Sequence, residues 1–171
     1  IAALDTVDIA SLSATQIKSL STAGIVALTT SQAAALLYTQ VAAMTTSQVA
    51  AIETADLTKL TTAQIGALTA AQIQGLTTSQ ISALATSQVQ GLKATQISAF
   101  SSDQITKLST GNIQALTTTQ VKALTTGQIA ALGTAQVNAM ETMDLAALTA
   151  SQVTALTTTQ ISAGISTSQV Q

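Results

Sequence analysis

The chain repeats its chemistry every eight residues, a period that fits neither a regular helix packed along one stripe nor a half-buried flat strand. With positions a to h assigned on Thr61-Thr62-Ala63-Gln64-Ile65-Gly66-Ala67-Leu68, the register holds from Ile1 to Ala163. Position h is Leu from Leu4 to Leu156, apart from the apolar Met44, Ile52, Phe100 and Met140. Position e is Ile, Val or Leu except at Ala33. Position d is Gln except at Asp8, Gly24, Asp56, Asn112 and Asp144. Position g is Ala, Gly or Ser except at Lys59 and Lys107, and positions a and b are mostly Thr or Ser.

Three conformations compete for such an octad. In a continuous α-helix the apolar stripe advances about 80° per unit, so no single partner covers it and no known supercoil corrects the drift. In a strand, e and h fall on opposite faces. A β-solenoid could use that, but its corners call for Gly, Asn, Asp or Pro. This chain has no Pro, and its eight Gly are scattered over several octad positions. The third option is one short helix per octad, and here the local chemistry agrees with itself. Thr at a and Gln at d form the S/T-x-x-E/Q capping box, while Leu at the preceding h and Ile at e fall on the two positions of the hydrophobic staple. A lone helix of six or seven residues is unstable in water. Octads stacked along a shared Leu/Ile spine supply what each lacks. The expected fold is therefore all-α, a solenoid of very short helices over residues 1–171, with a β-solenoid as the alternative. The small residue at g is expected to let neighbouring backbones approach, and c and f are expected to face water.

Irregularities carry further expectations. Acids occupy both a and d at Asp5/Asp8, Glu53/Asp56 and Glu141/Asp144. They read as favourable charges at helix N-termini rather than as a cation site, two carboxylates being too few for a calcium cage. Lys59 and Lys107 are expected near helix C-termini, and Lys18, Lys93 and Lys122 in water. Leu37 and Tyr38 displace the capping residues, so neighbouring helices are expected to fuse or tilt there; Ala85 and Lys93 also lack a capping oxygen. Tyr38 and Phe100 are expected to pack, and Met44, Met140 and Met143 to fill the spine. Gly164 is one residue too many. It predicts a local bulge or hinge, after which Ile165 takes the h role and Gln169-Val170 the d and e roles.

Composition narrows function. The 171 residues contain no His and no Cys, which removes ordinary zinc, haem, thiol and Ser-His-Asp chemistry. No catalytic, cofactor-binding or metal-ligating residue is assigned, and an enzyme is not expected. A net charge of −2 leaves no footprint for nucleic acid. The uncharged stretch 19–52 carries too many Thr, Ser and Gln to span a bilayer. The chain opens without Met or a basic leader and starts and stops in mid-octad, so it is expected to be a window on a longer array or a unit that stacks end to end.

The run Leu60-Thr-Thr-Ala-Gln-Ile-Gly-Ala-Leu68, repeated nearly throughout, resembles the LTTAQIAAL-type octad arrays of very large surface or secreted, adhesin-like proteins of proteobacteria. The resemblance implies an extracellular or cell-surface bacterial setting. The functional expectation is a structural element, a filament, stalk or matrix component that associates with itself. The alternative is a binding module whose Thr/Gln rows meet a matrix polysaccharide or ice.

Overall fold

The computed structural model describes residues 1 and 3–165. Nineteen α-helices of four to six residues, from Thr6–Ser11 to Ala150–Ala155, follow one another at one per octad among the described residues, with no strand. The short-helix solenoid is the fold, and the β alternative is set aside.

The helices start as the capping chemistry dictates, except those after Glu53 and Glu141, which have no side-chain cap. Thr61 holds an extended backbone (φ −69°, ψ 162°), its Oγ1 accepts from the Gln64 N–H, and Gln64 Oε1 accepts from the Thr61 N–H. Each helix ends just as reproducibly. The N–H at h donates to the carbonyl at e, as Leu68 does to Ile65 at 3.2 Å, and the chain then runs extended into the next cap. The helices come out one to three residues shorter than a full b-to-h span, because this three-residue closure tightens the last turn.

Successive helices wind into a superhelix with between three and four octads per turn. The helix Thr6–Ser11 packs against the third helix along, Thr30–Ala35, while side chains reach the fourth octad back. The e and h side chains, from Ile9 and Leu28 to Val137 and Met140, point inward and form one continuous buried core. Coverage is directional. Side chains at d become buried only from Gln32 onward, once a preceding turn exists, whereas Val153 and Ile161 at e remain about half exposed where no described turn follows.

Small residues sit where turns touch. A Cβ on Gly75 or Gly91, both at g, would lie 3.1 or 3.0 Å from the Thr46 or Thr62 side chain, and one on Gly66 would lie 3.0 Å from the Gly91 carbonyl oxygen. Gly66→Ala is therefore expected to lower stability by about 1 kcal/mol, overpacking against backbone outweighing the better helix propensity of Ala. Gly111→Ala meets only Ser109 Oγ at 3.7 Å and is expected to raise stability by about 0.5–1 kcal/mol. Paired denaturant midpoints check both signs.

The irregular positions resolve individually. Leu37 does not fuse its neighbours: Thr30–Ala35 and Tyr38–Ala43 stay separate, because Gln40 Oε1 still accepts from the Leu37 N–H at 2.6 Å. The same glutamine half of the cap survives at Ala85, Lys93 and Gly133. Phe100, Met44 and Met140 are core residues, but Tyr38 (60% exposed) and Met143 (74%) are not. They occupy positions b and c, which face water whatever the residue. Lys59 lies just past the end of its helix Thr54–Leu57 and Lys107 just past Ser102–Ile105, near helix C-termini as expected, and Lys18, Lys93 and Lys122 are exposed, Lys18 and Lys122 in last turns where a cation complements the helix dipole. Gly164 closes a π-helical turn, Gln160–Gly164, which absorbs the extra residue. Ile165 then packs against the core in the h role. Gln169 and Val170 lie outside the described residues.

Candidate functional site

The most elaborate chemistry in the molecule is the seam between turns, and position d builds it. A glutamine here has two jobs. Its Oε1 caps its own helix, which leaves the Nε2 amide pointing at the turn before. Gln40 Nε2 donates to the Ile9 carbonyl at 2.8 Å and to the Leu12 carbonyl at 2.6 Å, 31 and 28 residues back. Gln128 repeats this with Ile97 (2.8 Å) and Phe100 (2.7 Å). Every d glutamine from Gln32 to Gln160 makes a bond of this kind, and all are buried. The carbonyl at h is thereby satisfied, although no helix follows in line to supply a donor. The ladder runs parallel to the apolar core and ties each turn to its predecessor.

The capping-box reading of the sequence accounts for only half of this role. The missed signal lies in the choice of residue. A capping box accepts Glu as readily as Gln, yet Glu stands at no d position. Only the amide both accepts and donates.

The exceptions at d test the rule. Asn112 is one methylene shorter and keeps the essential bond, its Nδ2 donating to the Leu84 carbonyl at 3.0 Å, while Ser109 donates its hydroxyl to Oδ1 at 2.8 Å. Asp5 and Asp8 cap each other's backbone reciprocally at the exposed first helix, in line with the N-terminal reading of that pair. Asp56 and Asp144 occupy buried d positions. The h carbonyls 28 residues before them, Leu28 and Leu116, accept no hydrogen bond among the described residues. Burial, and then the neighbouring Glu141, raise the Asp144 carboxyl above the usual carboxylate range.

The surface offers little else that reacts. A shallow groove runs past Tyr38, Thr62, Gly66, Gly91 and Lys93, with no carboxylate facing it. Among the described residues no three acidic, His or Cys side chains gather as a metal would need, and no helix is long and apolar enough to cross a membrane.

Comparison with known proteins follows the same octads. The model of the ALTTAQ repeat matches four times, over residues 1–37, 49–86, 105–142 and 137–171. The chain belongs to the ALTTAQ repeat family. No curated protein and no solved structure matches it. Family and fold together describe a structural repeat protein, an all-α array whose units are held by a shared core and a shared ladder.

Proposed function

We propose that this ALTTAQ repeat array is an extracellular structural element, a stalk or filament segment of a bacterial surface or matrix protein, that does mechanical rather than chemical work. The observation that carries the reading is the d-position ladder. It joins every turn to the next through the same amide–carbonyl pairs, without closing on itself, so length is set by the number of octads. Pulling along the axis would load the seam bonds of a turn together, which is how a short-range hydrogen-bond network resists extension.

The surface is consistent with association between copies. It is dominated by uncharged Thr, Ser and Ala, with a net charge of −2, so electrostatic repulsion between copies is small. Self-association, with no nucleic acid or membrane as partner, is part of the same proposal. Negative-stain electron microscopy of purified protein across a concentration series tests it. The expected images are rods whose lengths are multiples of one chain. Uniform single-chain particles at every concentration would remove the filament reading and leave the stalk.

A further inference from the structure

Asp144 stands where the ladder needs a donor. Its helix, Thr142–Ala146, packs on Thr118–Ala123, and its register places it 28 residues after Leu116, as Asn112 is 28 residues after Leu84. Asn and Asp have the same shape. The Asn112 bond, 3.0 Å long, shows that a side chain of this length at d reaches the h carbonyl of the preceding turn. Asn112 meets the carbonyl with an N–H, whereas an ionised Asp144 meets it with a second acceptor. Two acceptors at that separation repel, and Asp144 is 4% exposed, so water gives limited relief. At the cap, Asn112 Oδ1 accepts a hydrogen bond from the Ser109 hydroxyl, whereas Asp144 has Glu141 in the equivalent place.

We propose that Asp144 is a proton-operated joint in the seam: neutral, its carboxyl O–H donates to the Leu116 carbonyl and closes the rung, and ionised, it leaves the rung open. The proton comes from water and returns to it, and no bond other than O–H is made or broken. The charged groups around the joint are few. Helix Thr118–Ala123 carries Lys122, which is exposed; helices Thr110–Gln114, Thr134–Asn138 and Ala150–Ala155 carry none; and Glu141 precedes Asp144 on its own helix. A carboxyl whose folded-state pKa lies above its unfolded value adds stability when protonated. The contribution is full below the ordinary carboxylate range and is lost as pH rises through the raised value. The seam at this turn is thus tighter in acid, opposite to the loosening expected of a salt-bridged carboxylate. This inference concerns one turn of the array and holds whether or not chains assemble.

Amide hydrogen-exchange protection factors, compared at pH 7 and pH 4.5 for the wild type and for Asp144→Asn, test it. Protection in Thr142–Ala146 and at Thr117, which follows Leu116, is expected to rise severalfold in the wild type on acidification. Asp144→Asn is expected to show high protection at both pH values, because Asn carries the donor permanently. A carbon-13 carboxyl titration of the unmodified protein provides the second readout, with the Asp144 resonance titrating above the ordinary carboxylate range. Equal pH dependence in wild type and Asp144→Asn would overturn the proposal. So would tightening of the wild type by millimolar calcium at pH 7, since the gap would then be a cation site rather than a protonation site.

Discussion

Gln128→Glu is expected to destabilise the array by about 3 kcal/mol at neutral pH, although the two side chains differ by one atom in kind and none in length. The introduced carboxylate would still accept from the Thr125 N–H, as Gln128 Oε1 does at 2.7 Å. On its other side it would turn an oxygen toward the Ile97 and Phe100 carbonyls, where the amide now donates at 2.8 and 2.7 Å. A buried donor becomes a buried charge facing two acceptors. Gln128→Leu loses the same bonds without the charge and is expected to cost about 2 kcal/mol. Urea midpoints at pH 7 separate the two variants. At pH 4 the Gln128→Glu variant is expected to recover toward wild type, because a neutral carboxyl can donate. A Gln128→Glu variant as stable as wild type at pH 7 would show that the ladder contributes little.

The second large effect comes from the core. Ile81→Ala is expected to cost about 3 kcal/mol, since Ile81 is fully buried and its removal leaves a cavity that neighbouring turns cannot close. The same substitution at Ile161, also position e but 51% exposed, is expected to cost less than about 1 kcal/mol. Thermal midpoints of the two variants, measured side by side, compare burial at constant chemistry and constant octad position. Similar losses at both sites would mean that position e stabilises locally through helix propensity rather than through coverage by the next turn.

Local rules reach far into this fold. The capping box at Thr61 and Gln64 and the staple of Leu60 and Ile65 join residues within one octad of each other, and both are present, while the small residue at g is visible in the sequence although the turn it meets lies far along the chain. The bulge at Gly164 follows from counting. What the sequence hides is the partner 28 to 31 residues away, because that spacing depends on how much each short helix turns the chain. The second role of Gln therefore escapes, and with it the burial of Asp56 and Asp144. Tyr38 and Met143 escape for a different reason. Their apolar character suggests packing, but positions b and c lie on the outer face, and in an array this regular, position outranks residue type.

The uniform ladder also bears on how such a protein can change in size over evolutionary time. Any amide at d can serve any pair of carbonyls at e and h, because no rung is addressed to a particular partner. Duplicating or losing a stretch of twenty-four nucleotides, in frame, creates two new neighbours that fit one another as well as the old ones did. Copy number can drift while the architecture stays the same, whereas a change of a single codon must be absorbed by a distortion such as the π turn at Gly164.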